Sequence, residues 1–186
     1  DARAHPYRRM RVWDAAGGEA LCFDADAFAV RQLGWIVEHG LLQDRLWAAM
    51  RRSNVIVRCP ARVVALEQQE DGATLELDDG LRVDARIAIA ADGGRSTLRE
   101  LAGIGADTED YGQQGVVAYV ATAHPHEDTA WQRFLPTGPL AFLPCAPWPD
   151  APHVSSIVWT MPDAEAARRV ALDDAALAEA LIRPSA

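Results

Sequence analysis

The sequence predicts a mixed α/β (α+β) fold built on two sheets, and three observations carry that prediction. Between residues 61 and 83, apolar runs with a period of two are broken by Asp71-Gly72 and Asp79-Gly80, the signature of antiparallel strands joined by tight turns. Residues 39–53 carry apolar side chains at helical spacing and stand between two short apolar runs, a strand-helix-strand progression. Further along, four strand-like runs precede two Ala-rich helical stretches.

Composition sets the outer bounds. The chain has 186 residues, 49% apolar and 24% charged, enough for a sizeable core in one domain or two small ones. Twenty-seven acidic side chains against 18 basic ones give a net charge of −9, which argues against a phosphate-reading nucleic-acid binder. No run of about 18 apolar residues is present, so no helical membrane span is predicted. Cys22, Cys59 and Cys145 are an odd, widely spaced set and read as buried free thiols in a reducing compartment.

The elements follow in order. Met10–Asp14 and Ala20–Asp24 flank Ala15-Ala16-Gly17-Gly18 and read as a hairpin; Gly34–Glu38 is extended. In the helix from His39 to Ser53, Leu42, Leu46, Ala49 and Met50 share a face opposite Gln43, Asp44, Arg45 and Arg51. Val55–Arg58 reads as a strand after it. Arg62–Glu67, Ala73–Leu77 and Leu81–Val83 form a three-stranded meander. Arg86–Ala91 is a near-continuous apolar strand suited to a sheet covered on both faces, and a helix starts near Ser96. Gln114–Ala123, Trp131–Leu135, Pro139–Leu143 and His153–Thr160 read as a second sheet, followed by helices at Asp163–Val170 and Asp173–Ile182. Six of the 11 prolines fall between Pro136 and Pro152, which predicts a rigid path with strands only at sheet edges.

The most specific chemical feature is the strand-turn-helix of residues 87–99. An apolar run ending in Asp92-Gly93 and opening a helix gathers free backbone N–H groups and a residue without Cβ, where a phosphate or ribityl chain can approach. The same residues would serve an ordinary connection in which Gly93 makes the turn and Ser96 or Asp92 caps the helix.

Ala91-Asp92-Gly93-x-x-Ser96-x-Leu98-Arg99 resembles the Asp-Gly motif of the flavoprotein aromatic hydroxylases, the group that includes para-hydroxybenzoate hydroxylase. Four further segments are similar to the ubiquinone-biosynthesis branch: Tyr7–Asp14, Leu33–Glu38, Asp110–Gln113 and, most sharply, Ala130–Pro144. The resemblance implies a partial FAD-binding, Rossmann-like domain with the meander at residues 34–105, and a mixed-sheet substrate domain at 1–33 and 106–186. It implies an FAD-dependent monooxygenase, reduced by NAD(P)H, that hydroxylates the ring of a polyprenylated phenol or quinol. Asp92 and Gly93 would hold the flavin side, Ser96 and Arg99 would fix the turn, and His39, before Gly40, stands where relatives often carry an amide. The implied setting is cytoplasmic, with peripheral contact to a bacterial inner membrane or a biosynthetic complex left open.

Two family features are missing, a Gly-x-Gly-x-x-Gly turn after a first strand and a later Gly-Asp motif. The expectation is therefore the middle of a longer hydroxylase, inactive by itself and holding FAD weakly or not at all. A flavoprotein hydroxylase of another aromatic compound, or a non-catalytic binding domain of this fold, stays open.

Other clusters carry less. His124-Pro125-His126-Glu127-Asp128 places four potential metal ligands in five residues, but a metal site needs a third well-placed ligand and a second shell, and a solvated loop is the expectation. Asp24 with Asp26 could share a proton only if forced together. His153 with Ser155-Ser156 lacks a nucleophile elbow. Trp131, Phe134, Phe142, Trp148 and Trp159 either fill the core of the second sheet or line a cavity for a flat ring, and Arg133 points away from Phe134 if that run is a strand.

Overall fold

The alternating runs of the sequence find partners in two separate places, and that pairing divides the chain. The computed structural model describes residues 3–182, so the outermost residues of the 1–33 and 106–186 segments, 1–2 and 183–186, lie outside it. Residues 1–47 with 110–186 form unit one, and residues 48–109 form unit two.

In unit one, β1 (Ala4–Tyr7) pairs antiparallel with β4 (Gly34–Val37), so residues 34–47 cluster here and not with the meander. The predicted hairpin is β2 (Arg9–Asp14) and β3 (Leu21–Asp24). It joins β8 (Gln113–Ala121), β9 (Thr129–Leu135), β10 (Gly138–Cys145) and β11 (Val154–Pro162) in one sheet of order β3-β2-β9-β10-β11-β8. Every neighbouring pair is antiparallel except β2 with β9, which run parallel from Arg9 opposite Thr129 to Asp14 opposite Phe134. The sheet is thus mixed.

One face of this sheet is covered by α3 (Asp163–Val170) and α4 (Asp174–Ile182). Val116, Leu135, Leu140, Ile157, Trp159 and Met161 point to that face and pack with Ala166, Ala180 and Leu181. Alternation does the sorting: Arg133 opposes Leu140 while Phe134 opposes Pro139 on the other face. Gly138, at φ 140°, stands where a Cβ would meet the Thr160 carbonyl oxygen at 2.4 Å, so no side chain fits there.

Strand β10 corrects one expectation. It lies inside the sheet, yet contains Pro139 and Pro144. Pro139 pairs only with β9 and Pro144 only with β11, so each proline sits where one side of the strand has no ladder and a missing N–H costs no bond.

Helix α1 (His39–Arg51) forms as predicted, but Leu41 is its buried residue while Leu42 and Leu46 are exposed. Unit two holds the meander, β5 (Val63–Gln69), β6 (Gly72–Leu77) and β7 (Arg82–Ala85), with α2 (Thr97–Leu101) beside β5. The predicted strands at Val55–Arg58 and Arg86–Ala91 do not form. Both segments lack a hydrogen-bonded neighbour among the described residues, and Ile56 (88%), Ile87 (78%) and Ile89 (83%) are exposed. An apolar run becomes a strand only where another strand completes its ladder. Among the described residues no helix is long and apolar enough to cross a membrane.

Candidate functional site at the Asp-Gly turn

The turn after residue 91 is closed by side chains. Ser96 is the N-cap of α2: its Oγ accepts from the Arg99 N–H at 3.0 Å and donates to Asp92 Oδ1 at 2.5 Å. The other carboxylate oxygen of Asp92 accepts from the Leu98 N–H at 3.1 Å. These bonds, the Ser96 hydroxyl foremost and then the Leu98 amide, hold the Asp92 carboxyl below its ordinary value. Arg99 returns Nη1 to the Gly94 carbonyl at 3.1 Å, so both ends of the turn are pinned.

Inside this frame the backbone stays open. Gly93 has φ 85°, and an added Cβ would meet nothing within 4 Å. Among the described residues the N–H groups of Gly93, Gly94 and Arg95 have no hydrogen-bond partner. Gly93, Ser96 and Arg99 line an open cleft of about 1090 Å³ in unit two, together with Arg86, Ile87 and Ala90. Arg99 Nε is buried and unpartnered. Free amides, a glycine of left-handed conformation and an unsatisfied guanidinium nitrogen suit an anionic, flexible ligand such as a dinucleotide's phosphate and ribityl parts. On this donor set the turn fits the phosphate-bearing part of a dinucleotide such as FAD. Arg86 was not singled out from the sequence, where nothing separates it from other surface arginines.

His39 is not part of this constellation. It is the exposed first residue of α1 and belongs to unit one.

The aromatics of unit one divide between the two readings. Trp159 is core at 3% exposure, with the Arg169 guanidinium 5.0 Å above its ring. Trp131 and Phe142 line a cleft of about 330 Å³ with Trp13, whereas Phe134 and Trp148 are exposed, Trp148 lying 5.4 Å from Tyr119. The thiols divide too: Cys145 is buried, which pushes its pKa up, but Cys22 and Cys59 are exposed. Asp24 and Asp26 take separate partners: Asp24 caps a 3-10 turn through the Asp26 N–H and Asp26 pairs with Arg8 at 2.5 Å. Ser155 and Ser156 are buried in β11.

The run 124–128 is only partly a free loop. Glu127 turns toward Arg9 at 4.0 Å, but Asp128 Oδ1 lies 2.8 Å from His5 Nε2 and 4.0 Å from His126 Nδ1. Burial, the largest cause, lowers the His126 pKa. No local pattern marks His5, which β1 brings in from far along the chain.

Known proteins fit this geometry. The FAD binding domain family matches residues 32–183. The 3-demethoxyubiquinol 3-hydroxylase of Escherichia coli strain K12 is 38% identical over 143 residues, covering 76% of this chain and 36% of that protein. The mitochondrial ubiquinone biosynthesis monooxygenase COQ6 of Xenopus tropicalis is 34% identical over 186 residues, 92% of this chain and 38% of that one. The chain therefore spans less than two fifths of these curated relatives. Among solved structures, Pseudomonas aeruginosa PqsL in complex with 2-aminobenzoylacetate superposes with a TM-score of 0.69 at 20% identity, over 91% of this chain and 46% of that one, and shares the fold. A match over most of the sequence, on a turn whose donors suit a dinucleotide, makes the chain a member of the FAD binding domain family, similar to the hydroxylases of ubiquinone biosynthesis.

Proposed function

We propose that this chain is part of an FAD-dependent monooxygenase that hydroxylates the ring of a polyprenylated phenol or quinol in ubiquinone biosynthesis, with NAD(P)H as reductant. The observation that carries the reading is the Asp92-Ser96-Leu98 turn, closed by its own hydrogen bonds while Gly93 is left bare to a ligand. Bound FAD supplies the oxygen-activating chemistry. The chain's own residues bind and orient. Gly93 and its neighbouring amides accept close approach, the Arg99 guanidinium balances negative charge, and Asp92 with Ser96 keeps the turn in register. Unit one provides the substrate side, where Phe134, Val117 and Tyr119 leave apolar surface on the face of the sheet opposite the helices. The family match and the relatives' names support this reading, as does the donor set of the turn. The working place is the cytoplasm, peripheral to the membrane that holds the prenylated substrate.

The test uses a protein that carries this chain together with the remaining length of its relatives. Flavin fluorescence and NAD(P)H oxidation are followed with a prenylated phenol, for the wild type and Asp92→Ala. The expected result is bound FAD, substrate-stimulated oxidation, and an FAD affinity about tenfold weaker in the variant. A wild-type protein that takes up no flavin would reduce the motif to a structural turn and leave a non-catalytic binding domain.

A further inference from the structure

We infer that His5, His126 and Asp128 form a site for a divalent cation of the zinc type, separate from the Asp-Gly turn and independent of the flavin reading. The three side chains come from β1 and from the loop between β8 and β9, and one ligand atom from each lies within 4.8 Å of the others. Zinc bound at about 2.0–2.1 Å in a tetrahedron places its ligand atoms about 3.4 Å apart. The separations here, 2.8 Å from Asp128 Oδ1 to His5 Nε2 and 4.0 Å to His126 Nδ1, bracket that value. All three atoms lie within 4.8 Å of one another, so side-chain adjustments of about 1 Å bring them onto one ion.

The surroundings are those of a supported ligand set. His126 Nε2 lies 3.1 Å from the Cys145 carbonyl oxygen, an acceptor that keeps the proton on Nε2 and leaves the Nδ1 lone pair facing the cluster. A cation would displace two hydrogen bonds within the cluster, the Asp128 N–H to that Nδ1 at 3.1 Å and the one between His5 Nε2 and Asp128 Oδ1 at 2.8 Å. Asp128 is held in place by backbone bonds from Arg8 and Arg9 to its carbonyl oxygen at 2.8 and 3.2 Å. Its φ of 53° brings the carboxylate back toward β1, and the Thr129 N–H bonds the His126 carbonyl oxygen at 3.0 Å. The two imidazoles meet edge to face with centroids 4.8 Å apart. Asp128 is 46% exposed, so water or an exogenous ligand can reach a fourth position. A bound ion would cross-link β1 to the β8–β9 loop, two segments that the His5–Asp128 hydrogen bond now joins.

Cobalt(II) titrated into this chain reads the site directly, because tetrahedral cobalt with nitrogen and oxygen ligands absorbs strongly in the visible. The expected result is a saturable spectrum at one cobalt per chain, displaced by zinc, with affinity at least about tenfold weaker in His126→Ala and in His5→Gln. His124→Ala, in the same loop but outside the cluster, keeps the wild-type titration. Circular dichroism of each variant separates lost ligation from lost folding, and His5→Gln on a short outer strand tests the site even if His126→Ala unfolds. A flat titration up to millimolar cobalt in the folded wild type, or equal affinities in wild type and both ligand variants, overturns the inference.

Discussion

Ser96 shows how much one hydroxyl can organise. It donates to Asp92 and accepts from Arg99, so the same oxygen caps a helix and sets the carboxylate of the motif. Both partners lie within four residues, which is why this part of the site could be read from the sequence: capping chemistry is local. The sign of its acid response follows from the lowered pKa of Asp92. A carboxyl held below its unfolded value contributes stability that is present above that unfolded value and is lost as pH falls through the folded one. Amide exchange at Leu98 and Arg99 should stay slow through neutral and mildly acidic pH and accelerate only below the ordinary aspartate range. Asp92→Asn should remove that acid transition, and an unchanged profile in the variant would show that another group controls the turn. His5 is the contrasting residue, because its partners stand beyond β8 and no spacing rule joins positions so distant.

Individual elements were legible wherever the partner strand was nearby. The β2–β3 hairpin and the β5–β6–β7 meander carry their turn signals between their strands, and both form. Val55–Arg58 and Arg86–Ala91 have the composition of buried strands, yet composition reports only a preference for burial and says nothing of the neighbour that must supply the ladder. Strand β10 fails in the opposite direction. Its prolines suggested an edge, but staggered ladders on its two sides give each proline an unpaired flank. The stagger also fixes Gly138 against Thr160. Gly138→Ala should therefore destabilise unit one by about 1–3 kcal/mol, the range for overpacking, read as a lower denaturant midpoint with an unchanged slope. A midpoint equal to wild type would mean that β10 can move off β11 at no cost.

At the scale of the whole molecule, burial is unevenly shared. Ile157, Met161 and Val154 are fully buried in unit one, whereas unit two buries little beyond Leu77, Thr74 and Ser96. Hydrogen exchange should follow that division: β10 and β11 protected longest, the meander less, and residues 54–60 and 86–91 exchanging nearly as free chain. Strong protection at Ile87 or Ile89 would contradict the exposure found there. The fold class was readable because two sheets and the helices announce themselves in periodicity. The division at residues 47 and 109 was not, since it depends on β4 choosing β1 across a stretch that contains another hairpin.

The parallel register of β2 on β9 also orders events in time. Arg9 finds its partner only at Thr129, so on a ribosome adding about 5–20 residues per second the amino-terminal hairpin, complete at Asp24, waits about 5–21 s for its neighbour. The meander, complete by Ala85 with short turns between its strands, can close during that interval. Until β9 emerges, the edge of β2 from Arg9 to Asp14 stands unpaired, the period in which a nascent chain has most need of a chaperone.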